Sequence, residues 1–155
     1  MIDVVLEFAT TGRIGLVHAG MALAEAEDLL GPGRPHPALR RHPEFDGYPI
    51  HWESLSLLKS GDRASEVNLE LSPEHPLRLP EVLGSRHVGE LGSVLMEDFL
   101  AALDEAACGY GSARSEEGVT HLDLESGVTA IFIHSEDWYD VPVQGDYLSK
   151  LRTRS

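Results

Sequence analysis

The apolar positions of this chain fall into short stretches of two kinds. Some alternate every second residue and some return every three or four. Asp3 to Phe8 alternates weakly and carries the β-branched pair Val4-Val5, which predicts a first strand. After the turn Thr10-Thr11-Gly12-Arg13, Ile14 to Val17 predicts a short extended piece. Met21 to Leu30 places Ala22, Ala26, Leu29 and Leu30 at helical spacing. Gly31-Pro32 ends that helix, because glycine suits the position past the last turn and proline cannot continue it. Tyr48 to Leu58 predicts a strand through Ile50, Trp52, Leu55 and Leu57, with Trp52 in the core. Ser60-Gly61-Asp62 reads as a turn. Glu66 to Leu71 alternates cleanly, with Val67, Leu69 and Leu71 on one face.

The second half repeats the scheme. Leu95 to Ala107 is amphipathic, with Leu95, Phe99, Ala102, Leu103 and Ala106 on one face, and Gly109-Tyr110-Gly111 ends it. Thr120 to Glu125 alternates, Ser126-Gly127 turns, and Val128 to His134 is β-branched and aromatic, so these two strands predict a hairpin. Val141 to Leu148 reads as irregular, with a helical turn near Tyr147 to Leu151. The expectation is an α+β fold, an antiparallel sheet with helices on one face. It has the form of a tandem α-β-β repeat over roughly 14–71 and 88–134. One compact domain spans 1–155, with 1–80 and 81–155 as candidate subdomains. Two stretches stand apart as connections. Residues 32–47 hold Pro32, Pro35, Pro37 and Pro43 among Arg34, Arg40, Arg41, His36 and His42 and predict a loop, the one basic cluster of the chain. Pro73, Pro76 and Pro80 mark a linker from 72 to about 84.

Charge narrows the function classes. Twenty-six acids against twelve Lys plus Arg give a net charge of −14 over 155 residues. Such a chain repels nucleic-acid phosphates and anionic lipid and attracts a basic partner. From Gly89 to Ser149, thirteen acids stand against Arg114 alone. The single cysteine, Cys108, permits no intramolecular disulfide and fits a reducing cytoplasm. The first eight residues, broken by Asp3 and Glu7, have neither the basic start of a signal peptide nor the apolar length of a membrane span.

His18-Ala19-Gly20-Met21-Ala22-Leu23-Ala24-Glu25-Ala26-Glu27-Asp28-Leu29-Leu30-Gly31, followed by Pro32, contains the phrase Gly-Met, helix formers, Leu-Leu-Gly-Pro. It resembles the helix opening of SmpA/OmlA-like and β-lactamase-inhibitor-like modules and of a group of small actinobacterial proteins. Trp52-Glu53-Ser54-Leu55 is similar to the strand that follows in the last group. The resemblance implies a helix lying on a small antiparallel sheet, sometimes in tandem, used as a protein-binding scaffold. The chain departs from the secreted inhibitors in having no signal peptide and no cysteine pairs. That departure points away from an extracellular inhibitor and leaves an intracellular role such as an immunity protein.

Catalytic signatures do not emerge. His18, His36, His42, His51, His75, His87, His121 and His134 form none of the pairs at metal-ligand spacing, so no metal and no cofactor is expected. There is no Gly-x-Ser-x-Gly elbow, and Cys108 at the end of an apolar helix face reads as packed. The expected function is therefore binding rather than catalysis. The leading expectation is an immunity protein, monomer or homodimer, holding a basic toxin domain such as a nuclease through an acidic surface. An enzyme or ligand site between the halves, and a structural or regulatory subunit, are the alternatives. The candidate surface is Glu136, Asp137, Trp138, Tyr139 and Asp140, where acids flank two aromatics of the kind that anchor interfaces, together with Glu97, Asp98, Asp104 and Glu105 on the second helix.

Overall fold

A computed structural model describes residues 3–83, 93–138, 141 and 143–155, the side chains of Asp137 and Trp138 excepted. The chain begins with a helix, α1 (Asp3–Thr11), where alternation predicted a strand. Val4, Val5, Phe8 and Ala9 are fully buried, and that spacing is one helical face, so burial outweighs the β preference of the valine pair. Gly12, at φ +70°, ends α1 and donates its N–H to the Phe8 carbonyl. The expected extended piece is a minimal hairpin of β1 (Arg13–Ile14) and β2 (Val17–His18). α2 (Leu23–Leu30) then ends at Gly31, φ +83°, where the sequence predicted its stop.

Two connections differ from expectation. The basic segment is not an unbroken loop. It contains β3 (Arg34–Pro35) and α3 (Pro37–Arg41), whose N-cap His36 accepts from the Ala38 N–H at 3.1 Å. The single strand expected over 48–58 is a hairpin, β4 (Pro49–Trp52) and β5 (Leu55–Ser60). Its turn was hidden because Glu53, at φ +56°, occupies a position that glycine or asparagine usually marks. β6 (Arg63–Glu70) follows, then the linker with a 3-10 turn at Glu81–Leu83. α4 (Met96–Glu105) buries Phe99 and Leu103 as expected. β7 (Arg114–Glu116) leads to the predicted hairpin of β8 (Val119–Asp123) and β9 (Val128–His134), with Gly127 at φ +87° in its turn.

The largest correction concerns the C-terminus. After α5 (Ser135–Trp138), the stretch expected to be irregular with a helical turn is β10 (Asp146–Arg154), a nine-residue strand. A bulge between Leu148 and Lys150 breaks the alternation. It separates the core residues Leu148 and Leu151 by three positions, which imitates a helical return. β10 lies between β6 and β9 in an eight-stranded antiparallel sheet of order β3-β4-β5-β6-β10-β9-β8-β7.

α1 and α4 pack on one face of this sheet, with α2 beside them above Trp52. Phe99 of α4 meets Phe132 of β9 edge to face at 5.6 Å, and the Trp52 indole donates to the Gly31 carbonyl beyond α2 at 2.8 Å. The core lies between them, lined on the sheet side by Leu55, Leu57, Val67, Leu69, Ala130, Phe132, Leu148 and Leu151. Gly33 lets α2 and the sheet come this close, because a Cβ there would stand 2.5 Å from Ile50 and 2.6 Å from Trp52. Among the described residues no helix is long and apolar enough to cross a membrane.

Each half is a helix followed by four strands that run side by side. The halves also match in detail. Ala22, just before α2, bridges Arg63 at the start of β6, and Leu95, just before α4, bridges Tyr147 at the start of β10. The Ala64 N–H donates to the Met21 carbonyl and the Leu148 N–H to the Val94 carbonyl. The shift that carries Arg63 onto Tyr147 carries Asn68 onto Arg152, and these two residues are direct cross-strand partners. An approximate two-fold axis therefore passes between Asn68 and Arg152.

Leu151, fully buried on the central strand, is where the fold is most sensitive. Leu151→Ala is expected to destabilise the protein by about 2–5 kcal/mol in a urea unfolding titration. A loss comparable to that of an exposed substitution would place the core elsewhere.

Candidate functional site

The acids expected to form one surface are distributed along α4. Glu97, Asp98, Asp104 and Glu105 are all exposed on the helix side of the molecule, away from the buried Phe99 and Leu103. Glu97 lies at the end that faces the β9–β10 connection. There Leu95, Met96, Leu100 and the half-exposed Val143 line an open cavity of about 410 Å³, with Glu97 and Asp146 on its wall. Next to it, His134 Nδ1 is 3.1 Å from Asp146 and Nε2 is 3.6 Å from the exposed Glu136. The structure thus brings Glu97 and Glu136 to one end. Asp104 and Glu105 sit at the other end of α4, where the Tyr110 hydroxyl donates to Asp104 at 3.1 Å. Tyr139 and Asp140, and the side chains of Asp137 and Trp138, lie outside the described residues.

A second surface escaped the sequence. The other face of the sheet carries partly exposed residues, with Ser56 and Asn68 at its centre buried at 3% exposure each. Its residues follow from the register, because direct cross-strand partners share a face. A polar row crosses seven strands: Arg34 opposes His51, His51 opposes Ser56, Ser56 opposes Asn68, Asn68 opposes Arg152, Arg152 opposes Thr129, and Thr129 opposes Asp123. Partly exposed Leu58, Ile131, Ile133 and Val119 flank it. Protein interfaces usually have an apolar core and a polar rim; this face has the reverse arrangement, so its centre would have to be recognised by hydrogen bonds and charge.

The two ends of the row differ. On the second half it is closed: Arg114 donates to Asp123 at 2.8 Å, and the Thr129 hydroxyl donates to the same carboxylate at 2.8 Å. Ion pairs flank the centre, Lys150 with Glu70 at 3.8 Å and Arg154 with Glu66 at 2.8 Å. On the first half it is open. Among the described residues Arg34, His51, Ser56 and Arg152 have no side-chain hydrogen bond or ion pair. Asn68 is 3% exposed, and its Oδ1 is buried with no hydrogen-bond partner. A buried acceptor left unmade costs about 1–3 kcal/mol, so the fold gains nothing from asparagine here.

Sequence could not find this row, since its members are single polar residues on separate strands. The one signal was the alternation of Lys150, Arg152 and Arg154, which the bulge disguised. No three His, Cys, Asp or Glu come together as a metal site among the described residues. Cys108 is partly buried against the core, as its helix position implied. Comparison of the chain with protein-family models, with curated proteins and with solved structures found no match.

The Asp104 contact is open to a direct check. The hydrogen bond to Asp104, followed by burial and the nearby negative charge, raises the Tyr110 phenol above its ordinary value of 10.0. A raised pKa means that the stabilising contact is fully present below the unfolded tyrosine's pKa and is lost as pH rises through the folded one. In an ultraviolet titration Asp104→Asn is expected to lower the Tyr110 transition. An unchanged transition would mean that Asp104 is free for another partner.

Proposed function

We propose that the chain is a protein-binding module that docks its partner on the open face of the eight-stranded sheet. The observation that carries this reading is the face itself. It offers a sheet of antiparallel strands with partly exposed Leu58, Ile131, Ile133 and Val119 around an unsatisfied polar centre. The resemblance of the Gly20 to Pro32 phrase to inhibitor-like scaffolds supports the same reading, as does the arrangement of two helix-and-sheet halves in one sheet. The proposed partner is a basic protein, in the immunity reading a toxin domain such as a nuclease. The net charge of −14 steers such a partner to the molecule, and the exposed acids of α4, Glu97 and Asp98 among them, contribute to that field from the helix side.

The test places a photo-crosslinking residue at Ile131 on the open face and, as control, at exposed Glu27 on α2. Irradiation in producing cells is expected to join a basic protein from Ile131 and not from Glu27. With that protein purified, Glu97→Gln with Asp98→Asn should slow association by about tenfold at low salt and leave dissociation unchanged. Ile131→Arg should speed dissociation. Crosslinks from Glu27 alone, or an acidic protein as the product, would overturn the proposal.

A further inference from the structure

We infer that the centre of the open face is a carboxylate-binding site, formed by Arg152, Asn68 and Ser56 and occupied by a glutamate or aspartate side chain of the docked protein. This rests on the reading of the open face as the binding surface and names the group that the face recognises.

The approximate two-fold axis supplies the argument. In the second half, the row contains a carboxylate of its own. Asp123 opposes Thr129, and both Thr129 and Arg114 donate to it. The matching position in the first half, opposite Ser56, holds His51. Ser56 takes the place of Thr129, and Arg34 stands on the strand next to His51. The donors of the first half are therefore present and the carboxylate is absent. The chain spends a cation there too. Lys150 and Arg154, on either side, are ion-paired to Glu70 and Glu66, while the partly buried Arg152 between them has no acid among the described residues. A guanidinium fork matches the two oxygens of a carboxylate.

Asn68 shows why the carboxylate should come on a polypeptide. Its Oδ1 lacks a donor, and a carboxylate has none to offer. A glutamate within an extended chain brings both groups. Ser56 and Asn68 are each 3% exposed, so the Arg152 side chain swings outward to admit the ligand; the carboxylate then meets Arg152 and the Ser56 hydroxyl, and a main-chain N–H meets Asn68 Oδ1.

The experiment titrates acetyl-Gly-Glu-Gly-amide and, separately, glutarate into the isotopically labelled full chain. It follows the Arg152 Nε–Hε and Asn68 side-chain amide signals by NMR. Saturable shifts of both signals are expected with the peptide, at an affinity about tenfold above that of glutarate. Arg152→Gln should abolish them, and Arg154→Gln, which removes a paired arginine on the same face, should not. Asn68→Leu should weaken peptide binding and raise Tm by about 2–4 °C, as expected where a polar residue is kept for a ligand and not for the fold. Tighter binding of glutarate than of the peptide would overturn the protein source. Shifts that survive Arg152→Gln, no shifts at all, or a Tm lowered by Asn68→Leu would overturn the site. A face that crosslinks its partner from Ile131 while the peptide leaves Arg152 unmoved would keep the docking surface and remove the carboxylate from it.

Discussion

The pairing of β6 with β10 is the joint on which the rest of the molecule depends. Each half is a four-stranded meander with two free edges, and a free edge presents unpaired N–H and C=O groups. Joining the two last strands removes one edge from each half and leaves only short outer strands. β3 has two residues, one of them Pro35, and β7 is three exposed residues, Arg114 to Glu116. Both features discourage further pairing. The same joint aligns the core, with Leu69 opposite Leu151 and Val67 opposite Thr153 on the helix side. It also fixes the open face, because the shared register brings polar positions of both halves into one row.

Charge acts at two ranges on this frame. The excess acid sits on exposed positions, along α4 and at the β9–β10 end, where it creates a long-range field. Screening confines that field to about 8 Å at physiological salt, so it governs encounter more than affinity. The centre of the open face is a local exception. Its acids are matched by Lys150, Arg154 and Arg114, and among the described residues the cations left unmatched in the row are Arg152 at its centre and Arg34 at its end. A basic protein can therefore be attracted by the whole molecule and still be held in register by an acidic side chain of its own.

The sequence made the helices and the alternating strands legible where one residue type dominated the local signal. Gly31-Pro32 ended α2, Val67 and Leu69 marked β6, and the β-branched run from Val128 marked β9. It misled where two effects competed. Val4 and Val5 prefer a strand, but with Phe8 and Ala9 they make a helical face whose burial decides. In β10 the bulge after Leu148 changed the period of an otherwise plain strand. Glu53 hid a turn by adopting a left-handed conformation without the usual residue. The open face was invisible for a different reason. Its centre is assembled from β5, β6 and β10, and only the register between distant strands places Ser56, Asn68 and Arg152 together.

The two-fold relation also explains why the halves join as they do. Positions on β6 and β10 that correspond in the repeat carry opposite charges. Glu66 corresponds to Lys150 and Glu70 to Arg154, and the ion pairs run between them, Arg154 to Glu66 and Lys150 to Glu70. If β6 paired with a second copy of itself, Glu66 would face Glu70. If β10 did so, Lys150 would face Arg154. Exposed ion pairs add little to stability, yet like charges at these positions disfavour the wrong joint, so the charges act as a specificity device. The device needs only two cations against two glutamates. The third, Arg152, falls on the axis, where its counterpart is the uncharged Asn68. Nothing in the joining of the halves requires a charge there, and among the described residues no acid meets it. The surplus cation thus stands at the middle of the β6–β10 seam where both halves meet, which is also the centre of the face opposite α1 and α4.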